Sequence, residues 1–173
     1  MTAAIPVEQV SLDFSALVRA HQSMVFSVCY HFLHDRDAAE ETAQEVFLSL
    51  HRNMSRIQSV DHAVFWLRKV AVQRSIDEGR RRVRRPQVAL DDVAEPAVPA
   101  PQGDPMLGEM LRKLIATLAD APRMVMILRY QEDLDPMEIS EVLEIPLATV
   151  KSHLQRSLAL LREKLARRGM GER

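Results

Sequence analysis

Between Pro86 and Pro105 the chain carries five prolines, one glycine and otherwise mostly small and acidic residues. Proline lacks an amide donor and fixes φ, so neither a regular helix nor a central strand crosses such a stretch. On both sides of it apolar residues recur at helical spacing, and alternating β-branched runs are few. The pattern predicts an all-α chain of two small helical domains joined by a flexible linker, with residues 10–86, 87–105 and 106–168 as the three parts. The linker reads as semi-extended.

In the first part a helix starts near Asp13 and turns Phe14, Leu17, Val18, Met24, Val25, Val28 and Phe32 inward. His34 to Asp37 supplies a turn and a cap. A second helix places Ala39, Thr42, Ala43, Val46, Phe47 and Leu50 on one face. Ser55 to Ala63 reads as a loop. A third helix begins near Asp61, carries Val64, Phe65, Leu67, Val70, Ala71 and Ile76, and runs into an arginine cluster. The second domain opens with Leu107, Leu111, Leu114, Ile115 and Leu118, followed by a helix with Met124, Val125, Ile127 and Leu128.

The segment from Asp135 to Arg156 reads as two short helices and a tight turn, the C-terminal domain's helix-turn-helix. Asp135 caps the first helix, Pro136 suits its first position, and Glu138 completes a capping box. Ile139, Val142 and Leu143 make one apolar stripe; Val150, Leu154, Leu158 and Leu161 make another. Between the latter lie Thr149, Lys151, Ser152, His153, Gln155 and Arg156, a mixture suited to phosphates and base edges in a major groove. Two DNA-contacting modules on a tether of ~20 residues at ~3.3 Å each could sit on the order of 60 Å apart, or roughly 18 base-pair steps.

The 173-residue chain has no apolar run near the ~20 residues of a membrane span. Its first eight residues lack the basic region and apolar run of a signal peptide. Cys29 is the single cysteine, which excludes an intrachain disulfide and a cysteine zinc cluster, and its apolar surroundings suggest a buried small hydrophobe. These features point to a reducing, cytoplasmic setting. His21, His31 and His34 are near enough to raise a metal site, but no carboxylate or cysteine completes a set. No phosphate loop, nucleophile elbow or paired-carboxylate site is present, so no catalytic residue, cofactor or small-molecule substrate is expected.

Net charge is only −1, yet its distribution is uneven. The second helix carries Glu40, Glu41, Gln44, Glu45, Ser49 and Arg52 away from its apolar stripe, either a solvated face or a docking surface for a basic partner helix. From Arg68 to Arg85 the chain is densely basic, with five arginines among residues 80–85. A polyanion contact accounts for that density better than solubility does. Asp91 to Glu109 is acidic without a lysine or arginine.

The stretch Asp37 to Arg52 resembles the core-polymerase-binding segment of bacterial extracytoplasmic-function (ECF) sigma factors, of the sigma-70 family. Phe65 to Arg82 resembles the minus-ten segment of that group. Leu118 to Arg162 is similar to its region four, with Thr149-Val-Lys-Ser152 in the recognition helix. The three occur in the family's order with the right kind of linker.

The resemblance implies a promoter-specificity subunit without catalytic residues. Asp37, Glu40, Glu41, Gln44 and Glu45 would dock on the clamp of the largest polymerase subunit. The loop Ser55 to Ala63 would help capture an unstacked minus-ten base. Minus-ten DNA would be held by Arg56, Trp66, Arg68, Lys69, Gln73, Arg80, Arg81, Arg82, Arg84 and Arg85, with Trp66 either stacking on a base or anchoring the fold. The minus-35 element would be met by Arg129, Thr149, Lys151, Ser152, His153, Gln155 and Arg156, and the acidic linker would lie in the polymerase channel that later takes the transcript. Core RNA polymerase, promoter DNA and an anti-sigma factor are the implied partners. The protein would be nucleoid-associated when active, and held at the membrane where its anti-sigma factor is anchored there. Gln73 stands where the family often has Asn, and Asp133 and Ala148 where it often has Gly; Asp133 must then tolerate a left-handed turn. The competing reading is a conventional helix-turn-helix regulator that acts without being a polymerase subunit. It would need a dimer interface or ligand pocket and would have no use for an acidic helix paired with a basic one.

Overall fold

The computed structural model describes residues 12–85 and 105–167, with backbone alone for 105–107. The sequence's linker, apart from its last residue, lies outside the described residues. Among those described there are helices and turns and no strand: α1 (Phe14–Leu33), α2 (Arg36–Asn53), a 3-10 turn (Met54–Arg56), α3 (Val60–Arg84), α4 (Pro105–Ala116), α5 (Asp120–Tyr130), α6 (Pro136–Leu143) and α7 (Leu147–Arg167).

Side-chain caps set most of the boundaries. The Asp13 carboxylate accepts from the amides of Ser15 and Ala16, and that of Asp35 from Ala38. These satisfy donors that the first helical turn leaves open. Ser59 caps α3, its hydroxyl accepting from the His62 amide at 3.1 Å, and the helix starts at Val60. The expected loop is therefore shorter than its sequence suggested. Met54–Arg56 forms a 3-10 turn, and residues 60–63 already lie in α3. His34, at φ 52°, closes α1 in the left-handed region and donates its amide to the Tyr30 carbonyl at 2.8 Å.

α1, α2 and α3 pack on one another around Leu17, Val25, Val28, Cys29, Phe32, Ala39, Val46, Leu50, Leu67 and Ala71. Each of these follows the helical stripe of its element. Gly79 permits a close approach of α3 to α1, since a Cβ there would lie 3.0 Å from Cε1 of the buried Phe32. Cys29 is buried, and burial pushes its thiol up to about 11, leaving it an unreactive apolar group.

The second set of helices does not build a separate interior. Met124, Val125, Ile127 and Leu128 of α5, Leu134, Ile139 and Val142 of the following turn and α6, and Val150 of α7 belong to the same continuous core as α1–α3. A smaller cluster of Leu114, Met126 and Leu161, flanked by Ile115, Leu118, Leu158 and Leu165, joins α4, α5 and α7.

His34 connects this packing to pH. Burial, reinforced by Arg123, His31 and Arg112, lowers its pKa from 6.5 to about 4. The unfolded chain then binds more protons between these values, so the folded state loses stability as pH falls from about 6.5 toward 4. At pH 5 the loss relative to pH 7.5 should be about 2 kcal/mol. Urea unfolding at the two pH values measures it. His34→Asn, which tolerates the left-handed backbone, should remove most of the difference.

Candidate nucleic-acid and partner interfaces

The helix-turn-helix is built as its sequence predicts. The Asp135 carboxylate accepts from the Met137 and Glu138 amides at 2.7 and 2.9 Å, and Glu138 accepts from the Asp135 amide at 2.8 Å. Asp133 adopts φ 52°, the left-handed turn it was expected to tolerate. Glu144 ends α6 in the same region, at φ 54°, a position that carries no glycine or asparagine signal. The turn into α7 is closed by Ser140 Oγ donating to the Ile145 carbonyl at 2.6 Å and by the Thr149 amide donating to the Pro146 carbonyl at 2.8 Å.

α7 buries Val150, Ser157 and Leu161 and presents the polar residues elsewhere. Thr149, Ser152, His153 and Arg156 share one stripe by their i, i+3, i+4 and i+7 spacing, while Lys151 and Gln155 form a second by i, i+4. Lys151, Gln155 and Arg156 are exposed, and Thr149, Ser152 and His153 are half-buried. The two stripes suit a helix lying in a groove, with base edges under one stripe and a phosphate strand beside the other. Arg129 sits at the end of α5, where Nη1 donates to the Leu134 carbonyl at 3.0 Å. This guanidinium braces the turn into α6.

On α2, Asp37, Glu40, Glu41 and Gln44 are exposed. Glu40 pairs with Arg36 at 2.9 Å, and Glu45 reaches Arg74 of α3 at 3.5 Å. Beside this acidic strip runs an apolar groove that periodicity does not reveal. Its volume is about 690 Å³, and Phe14, Val18, Phe26, Phe47 and Leu48 supply its apolar walls. Leu48 is 56% exposed at its edge. Phe14, Val18 and Phe47 read as core residues in sequence. They line this groove because one flank of each stripe is left uncovered by the neighbouring helices.

The basic helix α3 is less free than its composition suggests. Arg82 pairs with Asp35, whose carboxyl burial alone would raise; the Ala38 amide and Arg82 outweigh that and hold it below the usual range. Arg81 pairs with Glu78. Arg84 Nε donates to the Arg80 carbonyl at 3.2 Å. Arg56, Gln73, Arg84 and Arg85 are exposed. Trp66 is half-buried and packs against the main core. Lys69 and Arg80 face the second set of helices: Lys69 Nζ meets Glu144 Oε1 at 2.6 Å, and Arg80 Nε meets Asp120 Oδ2 at 2.9 Å.

Within the structure a basic helix and an exposed recognition helix therefore occupy two packed helical groups, with an acidic face and apolar groove on α2. This combination, with its helix-turn-helix, is that of a DNA-binding protein of the sigma-70 class. Residues 17–85 match the family model for Sigma-70 region 2, and residues 108–161 that for Sigma-70 region 4. The chain is 28% identical over 167 residues to the ECF RNA polymerase sigma factor SigW of Bacillus subtilis, covering 88% of each. It is 31% identical over 156 residues to the ECF RNA polymerase sigma factor SigK of Mycobacterium tuberculosis, covering 83% of this chain and 81% of SigK. Among solved structures, the sigma factor RpoE from Bartonella quintana, in complex with the anti-sigma factor NepR, superimposes with TM-score 0.72 at 19% identity. That match covers 89% of this chain and 97% of the other. CnrH, in complex with the cytosolic domain of CnrY, gives 0.65 at 17%, covering 88% and 87%. The chain belongs to the ECF sigma factors of the sigma-70 family.

The capping box makes a direct test of how the recognition helix is positioned. Asp135→Ala removes acceptors for two amides and should cost about 1 kcal/mol. Thermal unfolding should show a lower midpoint, and hydrogen exchange should rise in α6 before it rises in α1.

Proposed function

We propose that this sigma factor grips core RNA polymerase through α2 and the groove beside it, and promoter DNA through α3 and α7. The chain works as an alternative sigma factor, a non-enzymatic subunit that directs promoter recognition, melting and initiation. The observation that carries the docking assignment is the apolar groove alongside exposed acids. Interfaces draw most of their affinity from a few well-packed apolar anchors, while flanking charges set orientation and encounter rate. A clamp helix with apolar residues on one face and basic residues beside them fits Phe47 and Leu48 against its stripe and Asp37, Glu40, Glu41, Gln44 and Glu45 against its charges.

In this reading Arg56, Trp66, Arg68, Lys69, Gln73, Arg80, Arg81, Arg82, Arg84 and Arg85 serve the minus-ten region. Arg81 and Arg82 hold the helix end in shape as well as presenting charge. Arg129, Thr149, Lys151, Ser152, His153, Gln155 and Arg156 serve the minus-35 element. The functional parts are residues 10–86, 87–105 and 106–168, the middle part lying in the polymerase channel. Among the described residues no helix is long and apolar enough to cross a membrane. The protein works in the cytoplasm, on the nucleoid. An anti-sigma factor that covers the polymerase- and DNA-binding faces regulates it; the sigma factor RpoE is itself found in complex with the anti-sigma factor NepR.

Purified chain mixed with core polymerase should bind it and direct transcription from a cognate promoter; absence of both would sink the reading. Glu41→Lys is a cleaner probe than Glu45→Lys, because Glu45 also pairs with Arg74. Leu48→Asp and Glu41→Lys should each weaken core binding about tenfold or more. Both positions are exposed, so unfolding free energy should move by no more than about 0.5 kcal/mol. Duplex binding by α7 should not change.

A further inference from the structure

A crevice of about 730 Å³ opens where the C-terminal ends of α1 and α3 meet the start of α5. His34, Arg82, Arg85 and Arg123 line it, with Asp35 and Asp120 as its acids. Both acids already have partners, Asp35 in Arg82 and Asp120 in Arg80. Among the described residues this leaves Arg85 and Arg123 without a carboxylate partner. Arg123 is half-buried, its guanidinium carbon stands 4.6 Å from the centre of the buried Phe32 ring, and its Nε has no hydrogen-bond partner. Burial lowers its pKa, and Asp120 only opposes that shift. A half-buried cation without a counter-charge costs free energy that a bound anion returns. The same corner acts on His34, whose imidazole is held neutral by burial and by the charges of Arg123, His31 and Arg112. Neither Arg123 nor His34 takes part in the promoter contacts proposed for this chain.

We propose that this crevice is a binding site for a nucleoside polyphosphate, whose phosphate groups are held by Arg85 and Arg123. A guanidinium presents a planar fork of donors that matches phosphate oxygens, and charge-assisted bonds of this kind are the strong ones. Two such forks without carboxylate partners call for more than one phosphate. The volume lies within the range of small-molecule pockets, roughly 300–1,000 Å³. Leu33 and Val83, the latter 88% exposed, supply an apolar wall against which the base and sugar can lie. Arg82 is shared with Asp35 and adds charge at the edge. Arg85 also belongs to the proposed minus-ten contacts, so a bound nucleotide and a DNA strand compete for it. Arg123 belongs to the nucleotide alone.

The test titrates the full chain with ATP, AMP and adenosine by calorimetry at about 0.15 M salt, where loose surface attraction is screened. ATP should bind at least about tenfold more tightly than AMP, because only a chain of phosphates reaches both arginines, and adenosine should not bind. Arg85→Gln and Arg123→Gln should each weaken ATP binding by about tenfold or more. Arg85 is exposed, so its variant reads the loss even where Arg123→Gln disturbs the packing on Phe32. A control that removes two positive charges at exposed positions outside the crevice, Arg19→Gln with Arg162→Gln, should change ATP affinity less than about twofold. The imidazole resonances of His34 should move during the titration while those of His153 on α7 stay in place. A single-stranded oligonucleotide distinguishes the source of the phosphate: Arg123→Gln should leave its binding unchanged. No binding of ATP, or an equal loss in the control, overturns the site. If Arg123→Gln weakens the oligonucleotide as much as ATP, the crevice belongs to the path of the strand and the nucleotide site is overturned.

Discussion

Burial of α5 on both flanks is the constraint from which the rest of the arrangement follows. Met124, Val125, Met126, Ile127 and Leu128 are consecutive and all are at most 3% exposed. A helix that hides five consecutive residues cannot be an amphipathic surface helix; it needs neighbours around most of its circumference. The first helical group supplies one side, where α5 meets α1, and α4, α6 and α7 supply the other. Removing either side would expose most of the apolar surface that stabilises α5, at roughly 25 cal/mol per Å². The position of the recognition helix depends on this burial, because α7 packs on α5 and its polar stripes face wherever that packing leaves them.

Local features were the legible ones. Asp13, Asp135, Pro136 and Glu138 act within four residues of where they stand, so their chemistry can be read without knowing the fold. The helical stripes were legible for the same reason, since periodicity is set by the element alone. The start of α3 falls within a residue of where the periodicity places it, though the residue that caps it, Ser59, was not singled out by the sequence pattern. The groove on α1 and α2 was hidden because an apolar residue at stripe spacing looks identical whether a neighbour covers it or not. Phe47 and Leu48 differ from Val46 and Leu50 in what lies opposite them. That is long-range information.

The partition of the arginine-rich helix shows the same limit with charge. Composition counts Arg80, Arg81, Arg82, Arg84 and Arg85 as equivalent. The fold assigns Arg82 to Asp35 and Arg81 to Glu78, fixing the helix end against the cap of α2. Asp35 serves twice, capping α2 and anchoring α3, so its loss would loosen both helices together. A polyanion would meet a partly neutralised surface whose remaining cations are oriented. Orientation matters more than total charge when a single strand must be held in register rather than merely attracted.

These constraints bear differently on α3 and α7 under the proposed promoter contacts. α7 carries its polar stripes on a short module, and a helix-turn-helix that contacts one groove segment alone binds weakly beside dimeric readers that engage two half-sites. Weak binding suits a subunit of a larger machine. Affinity for each promoter element can stay low because the two are engaged on one scaffold, where the second contact forms at high effective concentration. That gain requires the scaffold to hold α3 and α7 at the promoter's spacing. It is lost when they sit in one compact body, because geometry that forbids simultaneous engagement removes the effective-concentration term altogether.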